Sequence, residues 1–492
     1  MQSRDGASTA EAVFAQICEL ETRHDLLQYT IDGWCVWPLL RFEVALLLAN
    51  VKMANVDSLR QGLAQRVTRA CGDVVALVGV RHKRHVVKTY TSGLLEAVDG
   101  FYKDIWLDDL LMEIGSYFKI EMINNPAFIP RRAAAFIKTD LTTTFFDLIA
   151  GVLGRVGGPT SVKDVARRMS ACLRDESALS PLTADAVAFR LRRFHWLKQL
   201  YRWLLKRISP EYLLVADPGE LALVAAAKER GIRVLEFQHG INDRYHSRYS
   251  WTAYGLKYKR RMPIPDRLLL YGEHWKNELE GSGFWQDALR VVGSLRVDQY
   301  RRFAARAVAG EGIRLVFTTQ GVEVERTIAF FVDFLTAAKE QRDLRLCIKL
   351  HPIYDPDKRP YEAAFSSDRR VQIFLASEGP STFELLAQAQ LHLSISSASH
   401  YDALGLGVPT VILPFAGHEI VGSLHGSGHA LLARTPLDLL EIVMRWREYR
   451  VPPEVREYYF KSGALENMKQ ELGALEWRGG PGRRVNEPPE RI

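Results

Sequence analysis

The chain has 492 residues, 47% hydrophobic and 25% charged, the composition of a soluble globular protein long enough for two to four domains of roughly 100–200 residues each. Its five cysteines, Cys18, Cys35, Cys71, Cys172 and Cys347, are odd in number and far apart, which excludes a disulfide framework or a zinc ribbon, and no run of 18 uncharged apolar residues exists to span a membrane. The formal net charge of +7 fits contact with an anionic surface or substrate and says nothing of fold.

In chain order, residues 10–55 read as helix, broken by the Asp-Gly turn signal in Ile31-Asp32-Gly33-Trp34. The glutamates Glu11, Glu19 and Glu21 in this opening are unlike a secretion signal, so a cytoplasmic chain is expected. Strands are expected at Val74–Val80, running into the basic cluster Arg81–His85, and at Ile120–Ile123; Gly151–Leu182 reads as loop-rich. A long helix follows at Ala184–Arg207. Within it, Phe189–Arg207 mixes Arg and Lys with Phe, Trp and Leu, which suits either a helix lying on anionic lipid or a packed helix whose cations reach out to water.

From Tyr212 the pattern becomes regular. Strands at Tyr212–Ala216, Arg233–Phe237, Leu268–Tyr271 and Arg290–Val292 alternate with helices at Glu220–Glu229 and His274–Glu280. A second series has strands at Arg314–Phe317, Arg345–Leu350, Val371–Phe374, Leu391–Ser394 and Thr410–Leu413, with helices at Glu325–Glu340, Ser381–Ala389 and His400–Leu404. This alternation predicts an α/β protein with two doubly wound parallel sheets. The expected division is 1–300, 301–476 and a disordered tail over 477–492.

Four constellations sit where strands end, the usual ligand edge of a parallel sheet. Asp217-Pro218-Gly219-Glu220 closes the first strand of the regular series; Asp217 is either a base, nucleophile or metal ligand, or simply the cap of the next helix. Gln238-His239-Gly240 closes the next strand. Gly240 permits a sharp turn, and His239 falls beside Asp217 as an acid/base or phosphate-binding pair. Lys349-Leu350-His351-Pro352 ends a strand of the second series, where a cationic pair would meet phosphate. Ser394-Ile395-Ser396-Ser397-Ala398-Ser399 leads into a helix whose N-terminus favours anions, with Tyr401-Asp402 in its first turn. No P-loop, dinucleotide fingerprint or metal-ligand spacing is present.

Together with Val291-Val292-Gly293-Ser294-Leu295-Arg296-Val297-Asp298 and Gly407-Val408-Pro409, these motifs resemble bacterial capsule and O-antigen glycosyltransferases of the GT-B fold, most closely those using CMP-Kdo. The resemblance implies two Rossmann-type domains facing across a cleft, with His351, Ser396 and Ser397 on the donor phosphate and Asp402 near the ribose. Lys349, Ser399 and Gln320 are assigned to the same nucleotide-sugar site, and Gln238, Gly240 and Arg244 to the acceptor side. Asp217 or His239 would deprotonate the acceptor, or Asp217 would attack the anomeric carbon, with Glu220 in reserve. No metal and no cofactor beyond the CMP-sugar substrate is expected. The expected partners are a nucleotide-sugar donor, a glycan or lipid-linked glycan acceptor, the inner face of the cytoplasmic membrane and polysaccharide-assembly proteins; nucleic acid is not among them. Two alternatives stand: a CDP-polyol phosphotransferase of teichoic-acid type, and a non-catalytic assembly component of the same fold.

Overall fold

The computed structural model describes residues 10–50, 63–91, 95–98, 101–123, 134–135, 137–216, 219–307, 312–352 and 354–478. Two parallel sheets organise them. The first is built from β1 (His85–Thr91), β2 (Tyr117–Ile123), β3 (Leu141–Thr142), β4 (Tyr212–Val215), β5 (Arg233–Phe237), β6 (Arg267–Leu270) and β7 (Leu289–Val291). Its spatial order is 3-2-1-4-5-6-7. The second comprises β8 (Ile313–Thr318), β9 (Leu344–Lys349), β10 (Val371–Phe374), β11 (Leu391–Ser394), β12 (Thr410–Ile412) and β13 (Leu431–Leu432), and repeats the scheme: its first strand is central, flanked by its second on one side and its fourth on the other. Both are the doubly wound order, in which the chain reverses direction across the sheet beside the first strand and opens a crevice there. The chain is thus the expected α/β protein of two Rossmann-type units.

The central strands are apolar on both faces because helices cover both. Every residue of β4 is buried, as are Leu268, Leu269 and Leu270 of β6. The longest helix, α1 (Ala184–Ile208), starts at Thr183, whose hydroxyl accepts the Ala186 amide, and ends at Ser209 in the left-handed region (φ 52°). Its residues Leu191, Phe194, Leu197, Tyr201, Leu204 and Ile208 recur every three or four positions and are buried. Three of its cations are tied down, Arg190 to Glu43, Arg193 to Asp147, and Lys198 to Asp32 and Glu229, while Lys206 and Arg207 are exposed. The apolar face is therefore packed inside the protein, as in the second of the two readings. No helix among the described residues is long and apolar enough to cross a membrane.

Two local expectations are corrected. Val74–Val80 is not a strand but the end of a helix, Leu63–Val78, and the strand begins later, at His85. Val74, Val75 and Val78 are exposed, while Ala70, Asp73 and Leu77 turn inward at helical spacing. Asp73 then accepts from the amides of Thr142 and Phe145, which fixes β3 at the sheet edge. Gly151–Leu182 is not loop-rich but carries the end of one helix, Thr144–Val156, and the whole of another, Ser161–Leu173. The Asp-Gly signal holds: Asp32 (φ 53°) and Gly33 (φ 82°) join two short antiparallel strands in the left-handed turn this dipeptide favours.

The last described helix, Ala464–Arg478, returns to the first sheet. Ala464, Met468 and Leu472 pack with Leu235, Phe237 and Leu269, and Glu471 pairs with Arg267. Of the expected tail, residues 477–478 complete this helix and the remainder lies outside the described residues.

Candidate active site

At the crevice of the second unit, between the ends of β8 and β11, Gln320 Oε1 accepts from the Ser396 amide at 2.7 Å and from its hydroxyl at 3.1 Å. One side chain therefore ties the two central strand ends together. His351 leaves the adjacent strand β9. Its amide donates to Thr319 Oγ1 (3.1 Å), and its Nδ1 accepts from the Tyr354 amide (3.0 Å), which leaves the ring proton on Nε2. Burial holds its pKa below the ordinary histidine value, with Asp355 opposing, so this ring is a neutral N–H donor at pH 7 rather than the cation expected.

The serine turn divides its labour. Ser397 Oγ accepts from the Ser399 amide (3.2 Å) and donates to the Ser399 hydroxyl (3.1 Å), closing the first turn of the helix Ser399–Leu406. Beneath it, His392 and His400 share hydrogen bonds with Thr410 Oγ1 (2.8 and 2.6 Å), and burial keeps both rings neutral. This buried lattice holds the loop that carries the serines.

Lys349 is corrected. Its ammonium is buried and donates to the carbonyls of Leu375, Glu378 and Pro380 at 2.8–2.9 Å, so all three donors serve its own unit and none remains for phosphate. Burial pulls its pKa down to about 8.

In the first unit, Asp217 lies outside the described residues. Glu220 pairs with the fully buried Lys88 of β1 at 2.7 Å. It is the counter-ion of that lysine, which burial alone would make costly, and this opposes its reserve role as a free base. Gln238 is likewise structural: its Nε2 donates to Gly240 O (2.7 Å) and its Oε1 accepts the Tyr271 amide (2.8 Å). It shapes the turn that presents His239 and is too buried to touch an acceptor. Arg244 forms a two-pronged pair with Glu278 (2.8 and 2.7 Å) and does not line the cavity described next.

Between the two units lies a cavity of about 160 Å³. The first unit contributes Trp106, His239, Gly240 and Tyr271; the passage between units contributes Ser294 and Arg296; the second contributes Phe383, Ala398, Tyr401 and Asp402. Each is placed by a strand end or helix start. Asp104 Oδ1 accepts the amides of Trp106 (3.0 Å) and Leu107 (2.8 Å), which seats the indole against Tyr90. Burial pushes the Asp402 carboxyl up to about 6, with Arg296 opposing. Burial also raises Tyr271 far above the ordinary phenol value, with the Asp402 charge adding, so it keeps its proton. The Arg296 guanidinium lies 3.7 Å from the Phe383 ring centre.

The structure therefore brings His239, Gly240 and Asp402 to one cavity, and Gln320 and Ser396 to one strand-end pair. It spends Lys349, Glu220, Gln238 and Arg244 elsewhere. Sequence reasoning missed Trp106, Tyr271 and Arg296 as cavity residues. Tyr271 and Arg296 follow the ends of β6 and β7, so the rule that ligands meet strand ends would have found them. Trp106 had no such signal.

No protein-family model matches the chain, and no curated protein sequence does. Among solved structures it is similar to the UDP-GlcNAc 2-epimerase from Neisseria meningitidis bound to UDP-GlcNAc, at 16% identity and TM-score 0.46 over 79% of this chain and 100% of that one. It is similar also to MurG from Acinetobacter baumannii (11%, TM-score 0.42, 80% and 99%) and to the wall teichoic acid polymerase TagF (11%, TM-score 0.41, 85% and 97%). Likenesses this distant carry nothing about activity.

Proposed function

We propose that the chain is a glycosyltransferase that holds a nucleotide-activated sugar on its second unit and transfers the sugar to an acceptor reaching the cavity from the first. The observation that supports this most is the meeting of both units' strand ends at one cavity, with a histidine from one side, a carboxyl from the other and an arginine from the passage between them. In this reading the acceptor oxygen attacks the anomeric carbon while His239 takes its proton. The bond from that carbon to the phosphate oxygen breaks, and its electron pair leaves with the nucleotide. The leaving phosphate is met by neutral donors, the His351 Nε2–H and the serine turn at the start of the helix Ser399–Leu406, rather than by Lys349.

The finer part of the proposal is a CMP-linked donor carrying an acidic sugar such as Kdo. It rests on the His351-Pro352 and Ser396-Ser397 motifs, and on Arg296 in the cavity as a partner for a sugar carboxylate. A thermal-shift panel of CMP, CDP, UDP and GDP tests it, since a ligand that binds only the folded state raises its melting temperature. CMP should give the largest shift. A shift with UDP or GDP and none with CMP overturns the CMP assignment, a preference for CDP favours polyol-phosphate transfer, and no shift with any nucleotide removes the donor site.

A further inference from the structure

The helix Leu63–Val78 turns an uncharged face to water. Ala70, Asp73 and Leu77 point into the first unit and are buried. The outward side carries Ala64, Val67, Thr68, Cys71, Val75 and Val78, and none of its exposed positions among the described residues holds a charge. Val67 is 50% exposed, Val75 73% and Val78 78%. The helix's two cations, Arg66 and Arg69, fall on the other side at helical spacing, and Arg69 feels the charges of Asp73 and Glu121 there. A helix face left in water is ordinarily the charged one, and a continuous apolar face marks a contact surface.

The pattern of that face says what covers it. Ala64, Thr68, Cys71, Val75 and Val78 follow one another at alternating spacings of four and three, the seam of a coiled coil. The seam is graded, with small side chains in its first half and valines in its second. Laid antiparallel on a second copy it complements itself. Ala64 meets the partner's Val78, Thr68 meets the partner's Val75, and Cys71 meets its own counterpart at the two-fold axis. Small faces large in the outer layers, no charge is buried, and the two helix dipoles oppose. A parallel pair would set small against small and large against large. A helix lying on a membrane flanks its apolar face with Lys and Arg, and the absence of cations from this face favours protein over lipid. The face is also open: a Cβ added at Gly72 meets nothing within 4 Å. Asp73 anchors the helix to β3, at one edge of the first sheet, whereas β7, which leads to the second unit, forms the other edge. Two copies joined at the β3 edge leave both interdomain cavities free.

We infer that two copies of this chain associate through the helix Leu63–Val78, packed antiparallel about a two-fold axis near Cys71. One 16-residue helix per copy, about 24 Å long and 10 Å wide, is a small interface, so the dimer is reversible and depends on concentration. The inference is independent of the transfer reaction and of the donor.

Sedimentation velocity of the full chain over a hundredfold concentration range tests it, and a monomer–dimer equilibrium is expected. Val75→Asp and Val78→Asp should each weaken association about tenfold or more, because each buries an unpaired charge in the pair. Both positions are exposed in a single copy, so the melting temperature of the dilute chain should not change. Leu437→Asp, at an exposed apolar position of the second unit, should leave association as it was. Ala64→Lys added to Val78→Asp should restore it, since the two positions stand about 21 Å apart along one helix and meet only between antiparallel copies. A bis-maleimide should link the dimer, and Cys71→Ser should abolish the link. A chain that stays monomeric throughout, unchanged association in both Asp variants, no restoration by the double variant, or no link through Cys71 each overturns the inference. Capture of a monomeric chain by anionic vesicles, lost in Val78→Asp, would assign the face to lipid and overturn it as well.

Discussion

Among single residues, Asp402 carries the sharpest conflict between stability and use. Its carboxyl is pushed up to about 6 by burial, against an unfolded value near 3.8. Between those two values the folded chain holds a proton that the unfolded chain has released, so this group's stabilising contribution is complete below about pH 4 and is lost as pH rises through about 6. At pH 7.5 the folded state carries a buried carboxylate with only Arg296 opposing it. Asp402→Asn should therefore raise the melting temperature at pH 7.5 and leave it unchanged near pH 4, while lowering transfer. The same variant should remove any limb of the activity profile that rises near pH 6. Melting curves at the two pH values check the first part, and a variant less stable at pH 7.5 than at pH 4, relative to the parent, would show that Asp402 is paired rather than stranded. His351 works in the opposite sense: burial holds its ring below the usual histidine pKa, so in the proposed reaction its N–H would donate without a change of protonation near pH 7.

At the scale of elements, the strand ends are where sequence and structure agree best and where side-chain roles diverge most. The regular series from Tyr212 was legible because fully buried parallel strands read as short apolar runs, and each ends in residues unsuited to continuing it. The crossings before it were not legible. The exposed valines of Leu63–Val78 imitate a strand, and their helix is recognisable only once Asp73 is seen to hold β3. Lys349 shows the limit for the site. Strand alternation places it at the right edge, but its long side chain reaches back to three carbonyls of the 375–380 loop, a destination that no local pattern encodes. Lys349→Met should therefore act through the element and not the ligand. It leaves three carbonyls of a partly exposed loop without their donor and should cost roughly 1–3 kcal/mol, with nucleotide affinity per folded molecule retained. Denaturant titration paired with CMP binding checks this, and weakened binding at unchanged stability would return Lys349 to the phosphate site.

For the whole molecule, the Gly-Ser-Leu-Arg-Val-Asp run that marks the passage between units is explained by a crossing of the chain over itself. Gly293 sits at φ 95°, and a Cβ there would lie 2.2 Å from Lys461 O. Asp298 accepts the Ala464 amide at 2.7 Å, which starts the helix Ala464–Arg478, and Arg301 clamps the carbonyls of Gly405 (2.7 Å) and Phe460 (2.6 Å). Gly272 and Gly405 are pressed by the same segment, at Tyr458 O and the Phe460 ring. The segment 458–461 thus touches the first unit, the passage and the second unit at once, and Tyr271 and Phe460, both lining the interdomain cavity, stack across it at 5.2 Å. The relative placement of His239 and Asp402 consequently depends on this crossing. Gly293→Ala adds a strained left-handed backbone and a contact with backbone that cannot yield, worth at least about 2 kcal/mol. It should lower the melting temperature, expose the chain near Ser462 to limited proteolysis and reduce transfer more than it reduces CMP binding. Gly281→Ala is the control: its φ is −57° and an added Cβ meets nothing within 4 Å, so its stability should match the parent. If the two alanine variants melt together and resist protease equally, the crossing does not bear on Gly293, and the two units are held in register by some other contact.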